Sequence, residues 1–163
     1  MMHRMGLLIS RTATTVWAGA AVMVVLIAIR EVTSPQFDSV VKAELALLRF
    51  PVYYTTAAIC LTAAIGGACL TLIAERTCRR RLGVYLGLLL AAAILMIVDF
   101  VYIYGPLREM TAVVDQARPE SFRRYHEWSR VINAVDVGFC WLGALLINWP
   151  VAHTAAEPPV SST

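Results

Sequence analysis

Hydrophobic positions come in four long blocks, and polar positions collect between them. The blocks cover residues 12–29, 52–74, 82–104 and 131–149. Within a block the apolar residues do not keep to one helical face, as they would in an amphipathic helix of a water-soluble protein. Each block has ~18–23 residues, enough at 1.5 Å per residue to cross a hydrocarbon core of ~30 Å. The pattern predicts an all-α protein, a four-span transmembrane helical bundle. No Gly-rich linker or repeat divides residues 1–150, so they are read as a single domain. The tail, 151–163, ends in "EPPVSST" and is expected to be disordered. Arg4 and Arg11 precede the first block, and Ala18-Gly19-Ala20 resembles a cleavage site. The apolar run continues from Val22 to Ile29 beyond that site, which predicts a retained helix.

The segments between blocks predict short amphipathic loop helices on one face of the membrane. Ser34-Pro35 reads as a capping hydroxyl followed by a proline at the first helical position. Phe37, Val40, Val41, Leu45 and Leu48 then make an apolar side that Pro51 would end. Gly105-Pro106 should stop the third span. Leu107, Met110 and Val114 suggest a second amphipathic piece, and Pro119 starts the last helix.

Composition agrees with a membrane protein: 59% of residues are hydrophobic, only 15% are charged, and mean hydropathy is +0.67. A net charge of +3 is too mild to point to nucleic acid. Its distribution bears on orientation instead. The connection 75–81 is short and holds Arg76, Arg79, Arg80 and Arg81. The opposite side holds more basic residues in all, spread over two longer loops and accompanied by acids. Short loops near span ends govern orientation best, so the termini are expected in the cytoplasm. The four cysteines form no CxxC pair, no disulfide framework and no zinc pattern.

The sharpest chemical feature lies in "FRRYHEWSRVINAVDV", residues 122–137. His126, Ser129, Asn133 and Asp136 are spaced by three, four and three, and Cys140 and Gly143 continue the series. On a helix this is one face. Amide and hydroxyl groups facing lipid would lack partners, so the stripe should face the other helices. Asp99 lies five residues before the end of the third block, and Asp136 five residues after the start of the fourth. At 1.5 Å per residue both lie ~7–8 Å below the same membrane face. Ionisable groups at such depth face protein or a water-filled cavity. Three readings stay open: the third block ends earlier and leaves Asp99 at the headgroups, each acid pairs with Arg30, Arg49 or Arg130, or the two share a proton or a cation near His126 and Asn133. Gly83 and Gly87, with Ala63 and Gly67, form small-xxx-small pairs suited to close helix packing within the bundle or, alternatively, between copies. Tyr53, Tyr54, Tyr102, Tyr104 and Trp149 lie near block ends and read as interfacial belts.

"FRRYHEWSRVIN" resembles the segment that opens the last helix of the transmembrane protein 205-like family, a four-span membrane domain of unknown function. "FPVYY", Phe50 to Tyr54, is similar to the same family's approach to its second span, and Pro106 falls where that family tends to place a proline. The matching positions are Tyr125, His126, Ser129 and Asn133; Asp99 and Asp136 lie outside the pattern. The resemblance implies a small integral membrane protein with no assigned reaction. Trp128 followed by Asn133 also resembles the anthrone oxygenase-like membrane family, but Asp136 follows where that family has an arginine.

These features lead to a multi-pass integral membrane protein, of the cell or inner membrane if bacterial. Its leading reading is a non-enzymatic accessory, interaction or small-solute resistance module. The alternatives are a membrane enzyme acting on an apolar substrate and a small oligomeric transporter. No catalytic residue, metal or cofactor is expected. The expected partner is the lipid bilayer and not nucleic acid; a homo-oligomer is an alternative to packing within one bundle, and the sequence identifies no small-molecule ligand. A reporter active only outside the cytoplasm and fused after Thr163 should stay silent; strong activity would invert the bundle.

Overall fold

Lipid offers no replacement for a lost backbone hydrogen bond, so an apolar block of this length closes its bonds internally as a helix. The computed structural model describes residues 1–74, 79–112 and 119–150. They form α1 (Met2–Thr33), α2 (Ser39–Ala74), α3 (Arg79–Val98), a π-helical turn (Asp99–Tyr104), α4 (Gly105–Ala112) and α5 (Glu120–Asn148). The π turn joins α3 and α4 without a break, giving four helices long and apolar enough to cross a membrane. The architecture is an all-α four-helix bundle. The expected disordered tail and Val114 lie outside the described residues.

The helices outrun the apolar blocks, and the breaks expected between them fall elsewhere. Ser34 ends α1 with an extended backbone instead of starting a helix, and its hydroxyl accepts from Gln36 N–H. Asp38 is the cap: Oδ1 accepts from Val41 N–H at 2.8 Å. An aspartate caps as well as a serine, and Pro35 is then left in a turn where its missing N–H costs nothing. Pro51 lies inside α2 and does not end it. The side chains around it are anchored to other helices: Arg49 pairs with Glu31 of α1, and Phe50 lies 5.8 Å from Tyr104. The segment from Ser39 is therefore an extension of the second span. Gly105-Pro106 likewise fails to stop the third. A helical proline collides with the carbonyl four residues back, here Tyr102. The π turn spans that carbonyl, and its wider winding makes room. Pro119 does cap the last helix, with Glu120 in its first turn.

Neighbouring pairs run α1–α2, α2–α3, α3–α5 and α5–α1, so α1 faces α3 across one diagonal and α2 faces α5 across the other. The core between them is rich in small side chains: Ala21, Ala57, Ala64, Ala68 and Ala92 are fully buried. Near the start of α1 and the end of α2 the two backbones come into direct contact. A Cβ on Gly6 would come within 2.7 Å of Gly67 O, and one on Gly67 within 2.6 Å of Gly6 O. Gly67→Val should therefore lower stability by about 1–3 kcal/mol or more through overpacking. Gly87→Val meets open space and should stay within about 0.5 kcal/mol of wild type. Unfolding titrations in detergent compare the two; equal losses would rule out the Gly6–Gly67 crossing as the tight point.

Candidate functional site

The π turn carries the site. A π turn rotates the residues after it relative to a plain α-helix, and here it presents Asp99 to the bundle interior at 1% exposure. Three donors converge on one carboxylate oxygen, Asp99 Oδ2. The Tyr54 hydroxyl donates to it from α2. From α5, Ser129 Oγ donates at 3.2 Å and Asn133 Nδ2 at 2.7 Å. Asn133 is itself oriented from both ends, since Nδ2 also donates to Ser129 O at 2.9 Å and Oδ1 accepts from the Tyr53 hydroxyl at 3.1 Å. Asp99 thus ties three of the four spans together.

Asp136 follows Asn133 by three residues on the same face, deeper in the bundle. It is 1% exposed and lies within electrostatic reach of Asp99. Oδ1 of each aspartate is buried without a hydrogen-bond partner, as is the hydroxyl of Tyr104. Among the described residues neither acid pairs with a base: Arg49 is taken by Glu31, and Arg30 and Arg130 are exposed. Aromatic rings close the site towards lipid. Tyr54 lies 5.0 Å from Tyr104 and 5.1 Å from Phe100, and Tyr53 lies 5.0 Å from Trp17. These separations suit tilted aromatic pairs.

A second polar layer occupies the terminal half of the bundle. Thr14 Oγ1 and the Tyr85 hydroxyl share a hydrogen bond across the α1–α3 diagonal, and Ser10 Oγ donates to Ala64 O at 2.7 Å. All three side chains are buried, and this layer holds no acid.

The structure brings Asp99, Ser129 and Asn133 into direct contact, with Asp136 beside them. His126 stands apart: it is exposed and stacked on Phe122, with ring centroids 6.0 Å apart. It lies towards the wet start of α5, so continuing the stripe one turn outward takes it out of the interior. Gly67 packs against Gly6 and Ala63 is half-buried, but Gly83 and Gly87 face outward with nothing near them. Packing within the bundle does not hold for that second pair, because Leu82, Tyr85 and Leu89 form the inward face of α3.

Tyr53, Tyr54 and Tyr104 are core residues, at 6–8% exposure, and not a belt. Tyr102 and Trp149 do face outward. The signal that marks the first two is the depth of Asp99: a buried carboxylate needs donors, and a buried tyrosine needs an acceptor. Among the described residues, no group of three His, Cys, Asp or Glu side chains could hold a metal ion. Comparison with protein-family models, curated proteins and solved structures finds no match.

Loss of one donor to a buried carboxylate has a calculable size. Tyr54→Phe should cost about 1.5–3 kcal/mol, the range for a hydrogen bond to a charged group. Tyr102→Phe, on an outward position, should change stability by less than about 0.5 kcal/mol. Equal effects in a detergent unfolding titration would rule out the Asp99 network as a stabilising centre.

Proposed function

We propose that this is a non-enzymatic multi-pass membrane protein, an accessory or small-solute resistance module, whose working centre is an acid pair that holds one proton. The observation that carries the proposal is the burial of Asp99 and Asp136 together, each at 1% exposure, with no basic partner among the described residues. A purely structural polar core is best when every group is matched. An unmatched second carboxylate lowers stability, and acids kept at such depth typically serve a proton or solute path. Two close carboxylates in a dry site cannot readily both carry charge. One proton between them relieves the repulsion. The three donors on Asp99 Oδ2 favour Asp99 as the charged member, and Asp136 then keeps the proton.

The layout that resembles the transmembrane protein 205-like family supports the same class of protein. Cytoplasmic termini, suggested by the arginine-rich 75–81 connection, would open the acid pair towards the outer face, where the third and fourth spans are joined. A membrane enzyme acting on an apolar substrate is the second reading. An open groove between α1 and α2 that ends on Tyr53 favours it.

Infrared difference spectroscopy of the protein at neutral pH tests the proton. A protonated carboxyl band sensitive to deuterium should be present, shift in Asp99→Asn and disappear in the Asp99→Asn, Asp136→Asn double variant. A wild-type spectrum without the band, or a band that neither substitution moves, overturns the proposal. Metabolite and lipid profiling of a deletion strain separates the two readings, since only an enzyme leaves an accumulated precursor with a missing product.

A further inference from the structure

The groove between α1 and α2 has a volume of about 390 Å³. Trp17, Ala20, Val24, Ile27 and Glu31 form its α1 wall. Their spacing of three and four makes a single stripe, ~21 Å long at 1.5 Å per residue. Leu48, Arg49, Val52 and Tyr53 face it from α2. Leu48 is 71% and Val52 66% exposed, so the groove opens sideways. Its body is apolar. The charged lining residues are Glu31 and Arg49, paired with each other at one end, with side chains still 19% and 15% exposed. Glu31 lies in the last turn of α1 and Arg49 ten residues into α2, and their pair ends the apolar body of the groove. Arg49 Nε is buried and has no acceptor.

The dimensions and charge of the groove select its occupant. The groove is one stripe of side chains wide on α1, with a charged pair at one end only, and that shape suits a single extended chain with a polar head. An extended hydrocarbon chain fits. At ~21 Å the groove is long enough to span one leaflet of a ~30 Å hydrocarbon core, about 15 Å, and to reach beyond it. At its mouth an anion and a cation stand side by side, net neutral. An anionic head would gain from Arg49 and lose to Glu31. A zwitterionic head carrying an amine satisfies both, its phosphate on the guanidinium and its ammonium on the carboxylate.

The geometry points to a site for one phospholipid with a phosphoethanolamine head, one acyl chain lying along α1 and ending against Trp17 and Tyr53. Tyr53 also donates to Asn133, which donates to Asp99. The chain end therefore touches a ring that orients the acid pair. The site stands whether or not that pair holds a proton.

The test uses the full chain in nanodiscs of mixed phosphatidylethanolamine and phosphatidylglycerol. A trace of either lipid carries a photoreactive group on its acyl chain, and crosslinks are mapped by mass spectrometry. The ethanolamine probe should label Val24, Ile27, Leu48 and Val52 several-fold more than outward positions such as Ile59, Ile73 and Ile94. Val24→Trp, which fills the groove, and Arg49→Gln should each reduce that labelling several-fold. With wild type alone, unlabelled phosphatidylethanolamine should compete and phosphatidylglycerol should not, so the outcome does not depend on the variants folding. Labelling spread evenly over outward faces, or equal labelling and competition by the glycerol lipid, overturns the site.

Discussion

A carboxylate placed inside a membrane must be matched or neutralised, and the arrangement of this bundle follows from how Asp99 is matched. A charged side chain at the centre of a membrane helix costs about 2.5–3.5 kcal/mol on insertion scales. Hydrogen bonds to a charged group contribute about 1.5–3 kcal/mol each, so the donors from Tyr54, Ser129 and Asn133 together more than offset that cost. They come from α2 and α5, which are diagonal across the bundle. The two helices must therefore keep one register relative to the π turn. Asp136 has no such set of donors, and that asymmetry separates the two acids.

Lipid gives helices no hydrophobic reason to associate, so packing and polar contacts must do it. The bundle divides these tasks by position. At the terminal end, Gly6 and Gly67 let α1 and α2 touch backbone to backbone. Across each diagonal, where backbones stay apart, a tyrosine bridges the gap: Tyr85 reaches Thr14, and Tyr53 reaches Asn133. A tyrosine suits this role because its ring fills apolar space while its hydroxyl ends on a partner. Two such bridges at different depths restrain rotation of the helices about their own axes more than either would alone.

Much of this fold was legible in the sequence, because span length and hydropathy are set by the bilayer rather than by details of packing. The polar face of α5 was equally legible, since Ser129, Asn133 and Asp136 keep helical spacing whatever surrounds them. Prolines misled. Pro51 and Pro106 read as ends because a proline breaks an isolated helix, yet neighbours hold α2 on both sides of Pro51 and a π turn absorbs Pro106. Tyr53 and Tyr54 misled for a different reason. A tyrosine near a span end suits the interface and a buried acceptor equally well, and only the third dimension shows that Asp99 stands opposite. The glycines divide by helical face: Gly67 lies on the packed side of α2 and Gly87 on the outward side of α3, a distinction that a small-xxx-small pattern does not carry.

The arginines add a further constraint. The last carbonyls of a helix have no donor within it, and in a membrane that lack is costly. At the end of α5, Arg11 Nε donates to Ile147 O at 3.1 Å and Arg81 Nε donates to Leu146 O at 2.8 Å. Cations there also meet the negative end of the helix dipole. One arginine comes from α1 and the other from the start of α3, so the caps bind the fourth span to the first and third. Asp99 makes the corresponding bonds to α5 near its middle, at Ser129 and Asn133. Helix α5 is thus held at two levels by side chains of other spans, mid-helix through a carboxylate and at its end through guanidinium groups. Arg11 and Arg81 therefore act as caps in the closed bundle, and a change at Arg81 would leave the Leu146 carbonyl without this donor and loosen the tie between α5 and α3.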